Sequence, residues 1–161
     1  MTIEQEWAEF RAAIRAHIAK HGRCIQAVTL NETDPPGSQP FMYTIGNHEK
    51  NLPELLIIGT DQKPFSDLLN RLSDVQNERG TAFEHDEFVN VGGKYPLRIV
   101  DAGTAGCRDY AYFARMYYDS DAVEVRQVLL PDTHGRWPDT PGCDLPYRDQ
   151  PILSARKKQA N

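Results

Sequence analysis

A histidine and a carboxylate stand in a short polar segment between two apolar runs of the chain. His48 follows the run that contains Tyr43, and Glu54 opens the continuous apolar run 55–58. An imidazole titrates near neutral pH and a carboxylate can orient it, so these groups and the tyrosine hydroxyl have the chemistry for general acid–base catalysis. A polar connection between two strands has the same composition without any function. Glu54, His48 and Tyr43 are therefore candidate catalytic residues, and whether the chain is an enzyme stays open.

Glu54 also raises a question of stability, because a carboxylate that leads into an apolar strand is costly to bury without a partner. We expect its partner to be a hydroxyl, an arginine or a backbone amide. The hydroxyl of Thr44 is one candidate, since it stands near the end of the preceding apolar run.

A second set of residues has the chemistry of a ligand pocket, in which aromatic walls surround a few polar groups that fix orientation. Its candidate ligand-binding residues are Tyr43, Thr44, Glu54, Tyr117, Asp132 and Trp137. Trp137 could instead pin a proline-rich segment to the sheet, and tyrosines at helical spacing are often core residues. The sequence does not show whether these side chains converge.

The common motifs for cofactors and metals are missing from the sequence. It has no phosphate-binding loop, no dinucleotide-binding glycine motif, no nucleophile elbow and no HExxH. His17 and His21 have the spacing of metal ligands on a helix, but no third ligand accompanies them. We therefore expect no metal site, and the cofactor, if there is one, is unknown.

Composition narrows the class of protein. The 161 residues are 40% hydrophobic and 25% charged, which is typical of one globular domain. The net charge of -5 argues against a nucleic-acid partner, because proteins that bind nucleic acids usually carry an excess of basic residues. The remaining classes of partner are a small molecule, a protein or a second copy of this chain. No membrane span or leader is recognisable, and three cysteines without CxxC spacing suit reduced thiols. These features favour the cytoplasm.

Helices are predicted from capping signals and apolar spacing. Thr2 and Gln5 have the spacing of a capping box, and apolar residues then recur every three or four positions as far as Gly22. This pattern predicts an amphipathic helix over 3–21. A middle helix is predicted from 61–64 to Gly80, and an aromatic helical segment is predicted over 109–118.

The remaining apolar runs predict strands, and together they indicate a mainly antiparallel sheet. The runs are 24–30, 41–45, 54–58, 88–91, 95–100 and 123–130. The run 54–58 is continuously apolar and should lie at the centre of the sheet, covered on both faces. Pro96 predicts an edge strand or a bulge, because proline donates no ladder hydrogen bond.

These elements predict a single α+β domain over 1–155. In it, a mainly antiparallel sheet is packed by the N-terminal helix and the middle helix. Many prolines and glycines follow residue 130, which predicts an ordered C-terminal wrap. The last residues, 156–161, are predicted to be a frayed basic tail.

Several separate pieces of the chain together resemble a known family. They are 43–46 (YTIG), 53–59 (PELLIIG), 95–98 (YPLR), 117–118 (YY), 127–132 (QVLLPD), 135–138 (GRWP), 141–142 (PG) and 150–153 (QPIL). In this order, over residues 22–153, the chain resembles the domain-of-unknown-function 4262 family of bacterial and phage proteins. The resemblance implies no established activity, transfers no catalytic residue and suggests a phage or defence context. Leu52 and Leu130 stand where members often have histidine and tryptophan.

Two functions of different kinds follow from these observations. The first is the binding of a small ligand in an aromatic and polar pocket, with the chemistry unresolved. The alternative is a non-enzymatic interaction or regulatory module that docks a protein or a second copy. Its surface would be the N-terminal helix, an edge at residues 95–96 or the C-terminal wrap. A convergent pocket favours the first, and a contiguous exposed apolar patch favours the second.

Overall fold

The computed structural model describes residues 1–59 and 62–154. The helices in this part of the chain are α1 (Ile3–His21), α2 (Gln62–Arg79), α3 (Gly103–Asp109) and α4 (Tyr112–Tyr118). The strands are β1 (Cys24–Val28), β2 (Phe41–Ile45), β3 (Glu54–Ile58), β4 (Glu87–Val89), β5 (Leu97–Ala102) and β6 (Val125–Leu129). None of these helices is long and apolar enough to cross a membrane. The predicted tail 156–161 lies outside the described residues.

The six strands form one sheet in the order β1-β2-β3-β6-β5-β4. Neighbouring strands are antiparallel except β3 and β6, which run parallel. The predicted α+β class and the mainly antiparallel sheet are thus confirmed. β3 lies between β2 and β6 with all five residues buried, as its continuous apolar run predicted.

Helices cover both faces of the sheet, and each face has its own core. On one face α2 places Leu69 and Leu72 against Leu55 and Ile57 of β3. On the other face α1, α3 and α4 pack over the side chains that alternate with these along β2 and β3. α1 begins with the predicted capping box and ends at Gly22 in the left-handed conformation.

The prediction that Pro96 marks an edge strand is wrong. β5 begins at Leu97, one residue after the proline, and lies between β4 and β6. The missing amide of Pro96 is therefore outside the hydrogen-bond ladder and does not prevent pairing on both sides. The edge strands are β1 and β4, so residues 95–96 do not offer the free sheet edge considered for docking.

The prediction for the aromatic helical segment is incomplete. Its helix is α4, but the structure has a further helix, α3, which begins at Gly103, before the predicted segment 109–118. The second glycine of α3, Gly106, is required by packing. A Cβ built on Gly106 would lie 2.6 Å from Ala102 Cβ and 3.4 Å from Val125 Cβ. Glycine at this position lets α3 approach β6 closely.

As far as residue 154, the chain after β6 forms a wrap of turns and a short 3-10 helix, Tyr147–Asp149. Two glutamines attach it. Gln127 of β6 donates to Pro151 O at 2.6 Å and accepts from Leu153 N at 2.8 Å. The side chain of Gln150 binds both main-chain groups of Leu130, at 2.9 and 2.7 Å, and thereby imitates a neighbouring strand.

Candidate functional site

Glu54 anchors the loop that joins β2 to β3. Its fully buried carboxylate accepts hydrogen bonds from three successive main-chain amides: Gly46 at 3.0 Å, Asn47 at 3.2 Å and His48 at 3.1 Å. The loop curls around the carboxylate because Gly46 takes a positive φ of 135°, a conformation that favours glycine. Three oriented amides hold a carboxylate much as a helix N-terminus holds an anion.

Two hydroxyls complete the surroundings of Glu54. Thr44 Oγ1 donates to one carboxylate oxygen at 2.7 Å, and the Tyr118 hydroxyl donates to the other at 2.7 Å. Thr44 Oγ1 also accepts a hydrogen bond from Leu55 N at 2.9 Å, so this hydroxyl serves both as a donor and as an acceptor. The His48 ring packs on the Tyr118 ring, with centroids 4.6 Å apart. The partners of Glu54 are therefore hydroxyls and amides, two of the three kinds that the sequence predicted.

Burial raises the pKa of Glu54, and the hydrogen bonds from Thr44, His48, Tyr118 and Gly46 oppose that rise. No lysine or arginine in the described part of the chain forms an ion pair with it. The carboxylate is enclosed by protein donors and has no exposed surface. This geometry favours a structural anchor over a general base, because a base must reach a proton on its substrate.

The two candidate tyrosines near this loop serve the packing of α4. Tyr43 is fully buried, and its hydroxyl accepts a hydrogen bond from Phe113 N at 3.1 Å in the first turn of that helix. Desolvation raises the pKa of Tyr43. Tyr117 packs against Tyr118 with ring centroids 5.1 Å apart, and desolvation together with the nearby Glu49 raises its pKa.

Asp132 organises the start of the C-terminal wrap. Its carboxylate accepts from the main-chain amides of His134, Arg136 and Asp144 at 2.8–3.0 Å and from the Arg136 guanidinium at 2.8 Å. Desolvation raises the pKa of Asp132, but the hydrogen bonds from Arg136, Asp144 and His134 outweigh it and hold the pKa below its ordinary value. Asp132 is thus a second carboxylate that fixes a loop.

Trp137 packs against side chains of β4 and β5. Its ring lies 5.5 Å from the Phe88 ring, and the Arg98 guanidinium lies 6.0 Å above it. β6 begins beside Glu54 and runs about 13 Å away from it before the wrap begins. The structure therefore brings Thr44 and Glu54 together with Tyr43 and Tyr117 nearby, and it places Asp132 and Trp137 beyond the other end of the parallel pair.

Asp132, His134 and Asp144 lie close enough together to suggest a cation site. A guanidinium already supplies the positive charge there. Arg136 forms ion pairs with Asp132 at 2.8 Å and with Asp144 at 3.1 Å. The cluster is explained by these contacts without a metal.

Cys107 is not an activated nucleophile in this structure. It lies in the second half of α3, away from the helix N-terminus where a thiolate would be favoured. Burial raises the pKa of its thiol to about 11. Cys24, Cys107 and Cys143 are all free.

A cavity of about 810 Å³ opens at the carboxyl ends of the parallel strands β3 and β6, opposite to Glu54. We call it the strand-end cleft. It is lined by Gly37, Ser38, Gln39, Ile58, Gly59, Pro64, Phe65, Leu68, Leu130, Pro146, Tyr147, Asp149 and Gln150. None of the six ligand-binding residues predicted from the sequence is among them. A crevice at the carboxyl ends of parallel strands is where open sheets with crossover helices usually bind ligands.

The polar groups of the strand-end cleft divide into two kinds. The side chains of Gln39 and Gln150 are engaged with the main chain: Gln39 Nε2 donates to Asp149 O at 2.6 Å, and Gln150 binds Leu130. Among the side chains that the structure describes, none forms a hydrogen bond or an ion pair with the Ser38 hydroxyl, the Tyr147 hydroxyl or the Asp149 carboxylate. The glutamines fix the shape, and these three groups are available to a ligand.

Comparison with known proteins identifies the family of this chain. No curated protein and no solved structure matches the chain. One family model matches residues 17–144, most of the chain and most of the range 22–153 over which the motifs resembled the same family. The chain belongs to the family described as Domain of unknown function (DUF4262).

Proposed function

We propose that this protein binds a small molecule in the strand-end cleft. The observation that carries the proposal is the cavity itself, whose volume of about 810 Å³ lies within the range of ligand sites in proteins. None of the six residues proposed from the sequence lines this cleft, and the ligand is assigned to the end of β3 opposite to Glu54.

The walls of the cleft support binding of a partly apolar molecule. Ile58 is the last residue of β3, Leu130 follows β6, and Phe65 and Leu68 come from α2. These residues belong to elements held in the two cores, so the cleft is formed before a ligand arrives. Preformed apolar walls lower the entropic cost of binding.

The proposal stops at binding, and the chemistry is left open. The cleft residues include two hydroxyls and a carboxylate, but no histidine, cysteine or lysine among the described ones. No nucleophile paired with a base is therefore present in this part of the site. Three free cysteines support a reducing compartment, and we place the protein in the cytoplasm.

A second function, docking of a protein, is favoured by one surface. The apolar stripe of α1 is only partly covered: Ile14 is buried, while Ile3 is 74% exposed. Beside it lies the Trp7 ring, 6.1 Å from the ring of Tyr112, which is itself 45% exposed. Cross-linking of the purified protein, with and without Ile3→Asp, tests this alternative for a second copy.

The test of the cleft is a fragment screen by ligand-observed NMR on wild type and on Leu68→Trp. Leu68 lines the cleft and is half buried, so a tryptophan there fills the cavity. The matched control is Asp67→Trp, which adds the same side chain at an exposed position of the same helix.

The proposal predicts that fragments bound by wild type also bind Asp67→Trp and are lost in Leu68→Trp. Circular dichroism melting of all three proteins checks that the variants fold. A screen without any bound fragment, or binding that survives in Leu68→Trp, would overturn the proposal.

A further inference from the structure

We infer that the strand-end cleft selects amines, that is, ligands with a cationic nitrogen on an apolar body. The inference rests on the proposed function, since it names the class of molecule that the same cleft would take. It is carried by the charges that line the cleft and a second cavity beside it.

The second cavity has a volume of about 320 Å³ and shares Gly37, Ser38, Gln39 and Ile58 with the strand-end cleft. Its other walls are the last residue of β1, residues of the loop that follows it, and Phe41, Tyr110 and Pro151. The Gln39 side chain, which donates to Asp149 O, stands where the two cavities meet. A ligand in one cavity therefore lies within the electrostatic field of both.

The described lining of the joined cavities carries charge of one sign. Asp149 lines the larger cavity and Asp34 lines the smaller, and no lysine, arginine or histidine is among the lining residues that the structure describes. Asp34 accepts one hydrogen bond, from Asn31 N at 2.7 Å, and no cation among the described residues pairs with it. The whole chain has a net charge of -5, which adds to the negative potential.

This pattern fits an ammonium group and opposes a phosphate or carboxylate. An ammonium donates up to three hydrogen bonds and meets the Asp149 carboxylate and the Tyr147 hydroxyl as acceptors. The apolar part of the ligand packs on Phe65 and Leu68. An anion in the same place would face Asp149 without a compensating cation on the described walls, and like charges held together are unfavourable.

The test compares three probes of similar size that differ in charge: 2-phenylethylamine, 2-phenylethanol and 3-phenylpropionate. Their dissociation constants are measured by NMR titration of the full chain at low and high salt. We expect the amine to bind about fivefold or more tighter than the alcohol at low salt, the propionate to bind weakest, and the preference to shrink in high salt.

The variant that tests the mechanism is the double substitution Asp34→Asn and Asp149→Asn. It keeps the shape of the side chains, so we expect the amine preference to be lost while binding of the alcohol persists. The control is Asp121→Asn, which removes one negative charge from a side chain that is 95% exposed outside both cavities.

Equal binding of the three probes, tightest binding of the propionate, or an amine preference that survives the double substitution would overturn this inference. So would binding of none of them. The fragment screen with Leu68→Trp decides the proposed function separately, because any bound fragment of any charge supports it.

Discussion

At the scale of single residues, two carboxylates fix loops through hydrogen bonds with the main chain. Glu54 collects five donors at the entrance of β3 and has no ion pair with a described residue, whereas Asp132 collects three amides and a guanidinium at the start of the wrap. Both residues were candidates for chemistry in the sequence. The same property that attracts attention in a sequence, a carboxylate beside an apolar strand, is also what a loop anchor requires.

Replacing Glu54 by glutamine should destabilise the fold. One carboxylate oxygen becomes an NH2 group that faces donors, and every contact with Glu54 is a donor, so two or three hydrogen bonds to a charged acceptor are lost. We expect Glu54→Gln to lower the free energy of unfolding by about 2–3 kcal/mol in urea denaturation. Glu78→Gln, an exposed change on α2, should leave it unchanged. A fully stable Glu54→Gln protein would contradict the anchor role.

Asp132 should make stability fall in acid. Because the pKa of Asp132 is lower in the folded than in the unfolded chain, its ionised form stabilises the fold. This contribution is complete above the ordinary aspartate pKa of about 4 and is lost as the pH falls through the lower folded pKa. Wild type should therefore lose stability more steeply below pH 4 than Asp132→Asn, as measured by urea denaturation at several pH values. Equal slopes in the two proteins would count against this role.

At the scale of elements, capping signals and apolar patterns in the sequence predicted those helices and strands whose tertiary surroundings agree with the local pattern. α1 has a capping box and a regular apolar stripe, and β3 is a continuous apolar run, so both were found with their bounds. α3 was not predicted, because glycine is a weak helix former and the packing that requires Gly106, against Ala102 of β5 and Val125 of β6, is tertiary. The error at β5 has a related origin, since the sequence does not show that pairing begins one residue after Pro96.

Gly106 provides a test of the close packing of α3 against Ala102 at the end of β5. Alanine normally favours a helix over glycine by about 1 kcal/mol. Here the added methyl would overlap Ala102 Cβ, so we expect Gly106→Ala to destabilise the protein by about 1–3 kcal/mol in thermal or urea unfolding. Thr104→Ala, at an exposed position of the same helix, is the control. A Gly106→Ala protein more stable than wild type would show that helix propensity dominates and that the close contact does not limit the residue at this position.

At the scale of the whole molecule, the order of the strands creates the strand-end cleft. Its walls come from the segment before β2, the end of β3, the first turns of α2, the end of β6 and the turn at 146–150. The sequence contains each of these pieces, but it does not show that β3 pairs in parallel with β6. The six residues proposed as a pocket were chosen by chemical type, and topology distributes them over both ends of the sheet. The family was recognisable from motif order, which is a property of sequence and does not depend on topology.

The proposed site follows from this arrangement, and the Glu54 loop and the strand-end cleft lie at opposite ends of β3. The first is filled by its own hydrogen bonds, and the second holds a cavity with three available polar groups. Binding at one end therefore predicts a pattern of perturbed residues that is distinct from binding at the other.

The most direct test is two-dimensional amide NMR of the labelled protein during titration with the tightest fragment of the screen. We predict that the largest shift changes fall on cleft residues such as Gly59, Leu68, Leu130 and Gln150. Changes centred on Gly46, His48 and Tyr118 would place the ligand at the Glu54 loop and contradict the account, as would a titration that moves no cleft amide.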